Sequence, residues 1–99
     1  MKITDFGVAI CEFDSHLSRW VVEHRRLDVQ DEYCRKFSQY IPVNGVVVDV
    51  GACLGDHTLS YSRMVGMGGA VHAFEPNPIA FECLEHNMRN LPNVICHQI

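Results

Sequence analysis

The stretch Val46-Val-Val-Asp-Val-Gly-Ala-Cys-Leu-Gly-Asp-His-Thr58 constrains this chain more than any other. It begins as a continuous apolar run with one acid, Asp49, near its end. It then turns through Gly51 and Gly55 and opens a helical pattern. An apolar run without polar alternation reads as a parallel strand covered on both faces. Glycines let the backbone turn tightly and approach a ligand, because no Cβ stands in the way. The helix that follows presents unpaired N–H groups at the same place. The stretch is therefore predicted to be a strand, a binding loop and a helix N-terminus.

Glycine spacing separates the ligands such a loop can serve. A dinucleotide fingerprint puts glycines at i, i+2 and i+5. Here position 53 is Cys and position 56 is Asp, so that pattern fails at two of its three places. A second landmark is Ala70-Val-His-Ala-Phe-Glu-Pro-Asn-Pro78, a short apolar strand ending in Glu75. Glu75 follows Gly51 by 24 residues, one strand-to-strand step of a βαβ unit. An acid at the tip of that second strand can accept hydrogen bonds from both ribose hydroxyls of a nucleoside.

Asp49, Gly51 and Gly55 resemble the first motif of class I S-adenosylmethionine-dependent methyltransferases, acid-x-Gly-x-Gly-x-Gly, with a departure at Cys53. Together with Val-His-Ala-Phe-Glu-Pro-Asn-Pro, the wording from about Val46 to Val94 resembles the FkbM-type branch, where the middle position is often not glycine. The resemblance implies an α/β, Rossmann-like methyltransferase fold that binds S-adenosylmethionine. Its cofactor-binding positions here are Asp49, Gly51, Ala52, Cys53, Gly55, Asp56, His57, Glu75, Pro76 and Asn77. It also implies methyl transfer to a hydroxyl of a small molecule, sugar or glycan. In this family acceptor residues come from segments after the third strand, so no catalytic residue is assigned.

Each of these residues also has a plainer role. Asp49 would be costly in an apolar strand unless satisfied, and loop N–H groups are its expected partners. The two glycines could serve close helix packing. Cys53 reads as a loop filler rather than a nucleophile, since no basic partner is placed beside it. His57 reads as packing near the cofactor and not as a base. Glu75 could simply be a solvent-facing strand end.

The rest of the chain reads in order. Phe6 to Cys11 suits an edge strand or hairpin arm. Asp14 or Ser15 can cap a helix carrying Leu17, Trp20, Val21 and His24 on one face and ending near Arg26-Leu27. His24, Arg25 and Arg26 then form a solvated C-terminal turn, with an anionic substrate as the sharper alternative. A second helix is expected from Asp28, supported by Asp31 and Glu32, with Val29, Tyr33, Phe37 and Ile41 along one side and Pro42 ending it. The spacing predicts helices over 56–65 (Leu59, Tyr61, Met64 and Val65 inward) and from Pro78. The latter is capped by Asn77, buries Ala80, Cys83, Leu84, Met88 and Leu91, and carries a Glu85–Arg89 pair outward. Val94 opens a third strand.

This order gives the N-terminal βαβαβ half of a doubly wound parallel sheet, strand order 3-2-1, preceded by two helices. Residues 1–44 form a lead-in, and 45–99 a truncated half-domain. The chain reads as a short reading frame or as the first part of a longer protein. Its first strand would then be an open sheet edge, inviting a homodimer or a partner chain.

With 99 residues the chain supports one modest core. A net charge of −4 speaks against a broad basic face for nucleic acid. No apolar run reaches the ~18–20 residues that span a bilayer. Five cysteines without Cys-x-x-Cys read as reduced thiols of a cytoplasmic protein, and the histidines show no metal-ligand spacing. Two other readings stay open: a fragment of an NAD-binding oxidoreductase, and a non-catalytic remnant or assembly module.

Overall fold

The computed structural model describes residues 1–12, 15–29 and 32–99, the side chains of Ser15 and Tyr33 excepted. The cap expected at Asp14 and the first-turn support expected of Asp31 lie outside the described residues. The chain opens with an antiparallel hairpin, β1 (Lys2–Ile3) on β2 (Ala9–Ile10). Two helices follow, α1 (Ser15–His24) and α2 (Glu32–Ser38). Then come β3 (Val46–Val50), α3 (Asp56–Val65), β4 (Ala70–Phe74), α4 (Pro78–Met88) and β5 (Val94–His97). The three long strands form a parallel sheet in the order β3-β4-β5. This is the expected 3-2-1 half of a doubly wound sheet.

One apolar core joins the hairpin to the sheet. Ala9, Ile10 and Cys11 of the hairpin segment cluster with Val21 of α1, Leu54 of the loop, and Cys83, Leu84 and Met88 of α4. On α1, Val21 is fully buried while Leu17 and Trp20 are half-buried. His24, expected on the same face, is exposed and stacks on Trp20 at 4.2 Å. Ser18 is the buried residue that periodicity overlooked. Its hydroxyl donates to the Cys11 carbonyl at 2.8 Å and accepts from the Cys11 N–H at 3.2 Å.

Three expectations about α1, α2 and α3 need correction. First, α1 ends at His24, because Arg25 adopts a left-handed φ of 54°. Arg25 then pairs with Asp5 at 3.0 Å on the surface, which suits the solvated-turn reading. Second, α2 is shorter than expected. Val29 precedes it and Ile41 lies beyond it, in a turn whose Tyr40 N–H donates to Phe37. The residue before a proline disfavours helical backbone, and the helix has ended before Ile41 and Pro42 are reached. Third, α3 turns small polar groups inward. Thr58, Ser60 and Ser62 are buried with Val65, whereas Leu59, Tyr61 and Met64 are only half-buried. Ser62 donates to Asn93 Oδ1 at 2.8 Å, and Asn93 returns its amide to the Ser62 and Gly66 carbonyls, so this face is hydrogen-bonded.

The strand β3 is not covered on both faces. Val46, Val48 and Val50 are 68%, 60% and 79% exposed. Right-handed crossovers that step in one direction put α3 and α4 on one side of the sheet. That side buries Val71 and Ala73. The other carries Val48, His72 and Ile95 in one row and Val50, Phe74 and His97 in the next. On that face Val48, Val50 and Ile95 are exposed, while His72, Phe74 and His97 are half-buried. On α4, Arg89 does not pair with Glu85; it donates to the His86 carbonyl at 2.6 Å and so serves the helix C-terminus. Among the described residues, no helix is long and apolar enough to cross a membrane.

Candidate functional site

The site is built at the C-terminal ends of β3 and β4. The peptide N–H groups of Gly51 and Ala52 both donate to the Phe74 carbonyl, at 2.8 and 3.0 Å, tying the loop's first residues to the tip of the neighbouring strand. Gly51, Cys53 and Gly55 all have left-handed backbone, with φ of 78°, 54° and 97°. The two glycines are there for different reasons. A Cβ on Gly55 would lie 2.7 Å from Met88 Cε and 3.1 Å from Leu84 Cδ1, so close packing of α4 excludes one. A Cβ on Gly51 would meet nothing within 4 Å. Packing thus accounts for Gly55, while Gly51 leaves an open ledge over which a ligand can approach the backbone.

Glu75 is not a solvent-facing strand end. It is 8% exposed, and each carboxylate oxygen accepts a backbone N–H: Oε1 from Cys53 at 2.8 Å and Oε2 from Asn77 at 3.0 Å. One side chain therefore fixes the middle of the glycine loop and the start of the next helix. Asn77 caps α4 by accepting from Ile79 and Ala80, with Pro78 at the first helical position. Pro76, between the two, is exposed.

Asp49 is satisfied, but by a side chain: Thr58 donates its hydroxyl to Oδ2 at 2.7 Å. Thr58 is fully buried and was missed by periodicity. The signal for it is a hydroxyl residue placed in the first turn of a helix facing back toward an intra-strand acid. Asp56 sits at the start of α3, with His57 Nε2 at 3.9 Å from its carboxylate. Burial pushes the Asp56 carboxyl above its ordinary value of 3.8; His57 opposes that shift and the Asp49 charge adds to it. Ala52 is buried beneath the loop. All ten sequence-predicted positions thus fall in two adjoining segments, 49–57 and 75–77. All five cysteines are thiols, and among the described residues no group of three His, Cys, Asp or Glu could hold a metal ion.

A parallel 3-2-1 sheet, with a glycine loop at the tip of its first strand and a buried acid at the tip of its second, defines a Rossmann-like domain of the methyltransferase type. The methyltransferase FkbM domain model matches residues 49–98, and the chain belongs to that family. Among solved structures it is similar to a SAM-dependent methyltransferase from Aquifex aeolicus, with TM-score 0.64, 21% identity, and coverage of 79% of this chain and 46% of that one. It is similar also to a candidate rRNA methylase from Clostridium thermocellum (TM-score 0.65, 20% identity, 69% of this chain, 38% of that one). A protein-L-isoaspartate O-methyltransferase gives TM-score 0.64 at 24% identity over 72% of this chain and 24% of that one. The chain spans less than half the length of each. No curated protein matches it.

Proposed function

We propose that segments 49–57 and 75–77 bind S-adenosylmethionine, and that the domain serves methyl transfer to a hydroxyl of a small molecule or sugar. The observation that carries this reading is Glu75, whose buried carboxylate closes the glycine loop from the tip of β4. A carboxylate oxygen has more than one lone pair, so Glu75 can hold the loop and still accept ribose hydroxyls. The open ledge at Gly51 fits close approach of the cofactor's chain. When bound, the sulfonium supplies an activated methyl group that passes in line to the acceptor oxygen, leaving S-adenosylhomocysteine and a proton. The protein's share is to hold the donor rigidly, which supplies much of the rate of such a transfer.

Charge favours this cofactor over NAD. Asp49, Asp56 and Glu75 surround the loop, and residues 49–57 contain no Lys or Arg. A sulfonium and an ammonium suit such a place, whereas a pyrophosphate at the start of α3 would meet Asp56. Among the described residues β3 is an edge strand with Val46, Val48 and Val50 exposed, which supports a second proposal, pairing with a second copy of this chain. The exposed valines carry no charge that would repel an identical strand, and a two-fold axis would bring β3 antiparallel to itself. All five thiols suit a reducing, cytoplasmic setting.

Calorimetric titration with S-adenosylhomocysteine, with NAD run beside it, tests the cofactor reading. Binding of the first alone is expected. Glu75→Gln should abolish it at a temperature where circular dichroism shows the fold intact. A folded chain that binds neither is a scaffold, and the enzymatic reading falls.

A further inference from the structure

We infer that Asn87 is a positioning residue for the glycine loop, coupling its shape to the N-terminal hairpin. The inference rests on the cofactor reading above and names a part of that site outside segments 49–57 and 75–77. Asn87 lies on the half-buried side of α4. Its Nδ2 donates to the Leu54 carbonyl at 2.8 Å and to the Ala9 carbonyl at 3.0 Å. Its Oδ1 accepts from the Ala9 N–H at 2.7 Å. Both amide hydrogens and the carbonyl oxygen are thus engaged, a pattern only a carboxamide can supply.

The bond to Leu54 matters because of where that carbonyl sits. The Leu54 carbonyl and the Gly55 N–H share one peptide plane. Asn87 holds its oxygen end, and the Ala52 carbonyl holds its N–H end at 2.9 Å. That plane sets the direction in which α3 leaves the loop, and therefore where its first N–H groups face. On the other side, Asn87 grips β2 by both polar groups of Ala9, a fully buried residue. The hairpin lies outside the matched segment 49–98, yet it is bolted to the loop through this side chain.

A purely structural Asn87 would stabilise the whole domain evenly. A positioning Asn87 would protect the loop beyond that. Amide hydrogen exchange on the ligand-free chain separates the two, with the Val71 amide as the reference. Val71 is fully buried in β4 and donates to Asn93, so it reports global opening. Asn87→Ala should speed exchange of the Gly55 amide about tenfold more than that of Val71. Asn87→Asp keeps an acceptor for the Ala9 N–H and loses both donors. It should leave Ala9 protected while loosening Gly55, and it serves if the Ala variant does not fold. S-adenosylhomocysteine should bind each variant about fivefold more weakly, as a less preorganised site does. Equal acceleration at Gly55 and Val71, or an unchanged loop, overturns the inference. Failure of the unaltered chain to bind the ligand would sink the cofactor reading instead, and the exchange comparison would still decide the role of Asn87.

Discussion

Gly51 and Gly55 share a left-handed backbone, yet alanine should affect them in opposite ways. At both positions an L side chain at positive φ costs roughly 1–2 kcal/mol. At Gly51 nothing adds to that, because the new methyl meets no atom within 4 Å. At Gly55 the methyl lands 2.7 Å from Met88 Cε and 3.1 Å from Leu84 Cδ1. Met88 is flexible but 4% exposed, and Leu84 is fully buried, so relief requires repacking of the core. Overpacking of this kind costs about 1–3 kcal/mol. Gly55→Ala should therefore lose about 2–5 kcal/mol, a large part of the ~5–15 kcal/mol that holds a small domain together. A loss of about 1 kcal/mol shifts the midpoint of a domain this size by about 4–8 °C. The separation should be plain in thermal and urea unfolding followed by circular dichroism. Binding should invert the order: Gly51→Ala, the milder change for stability, puts its methyl on the open ledge and should block S-adenosylhomocysteine. Equal destabilisation by the two variants, or unimpaired binding by Gly51→Ala, would refute the division of labour between the glycines.

Three further outcomes follow from the same geometry. Burial raises the Asp56 carboxyl in the folded state, so its ionisation opposes folding; that penalty is absent below the unfolded value near 3.8 and grows as pH rises through the folded one. Asp56→Asn should stabilise the chain at pH 7 and bring no gain at about pH 3 in paired melts; an equal gain at both would contradict the burial argument. Cys53→Gly removes a side chain from a φ of 54° and should change stability by less than about 1 kcal/mol, the relief being offset by the freer unfolded chain. It should also keep binding of S-adenosylhomocysteine, and loss of that binding would contradict the loop-filler reading. Val48→Lys, on the exposed face of β3, should leave the circular dichroism spectrum unchanged but convert a two-fold assembly to monomer in sedimentation, with the melt losing its dependence on protein concentration; a chain that is monomeric before the change refutes the pairing.

The strands and helices from Val46 to His97 were legible because their signals are local. An apolar run, the glycine punctuation at 51, 55 and 66–69, and the Asn77-Pro78 cap each mark a boundary without reference to distant residues. The lead-in was harder to read. Val29, Phe37 and Ile41 keep a helical spacing, yet the helix spans only Glu32–Ser38, since periodicity does not reveal where the chain must turn. Which face is covered was also invisible. Val46, Val48 and Val50 look like core in sequence and are exposed because both crossovers fall on one side. The site's supports are tertiary: Thr58 against Asp49, Glu75 against Cys53, and Asn87 against Leu54 pair residues 9, 22 and 33 positions apart. An asparagine within the otherwise apolar stripe of α4 was the one visible hint of the last.

The most direct test of the central claim is where S-adenosylhomocysteine sits. Two-dimensional amide NMR of the labelled chain, titrated with it, reads this residue by residue. Shifts confined to the amides of Gly51–His57, Glu75 and Asn77, saturating together, are the predicted result. Saturable shifts elsewhere, for instance between α2 and α3 around Ser38 and Ser60, with the glycine loop unmoved, would contradict it.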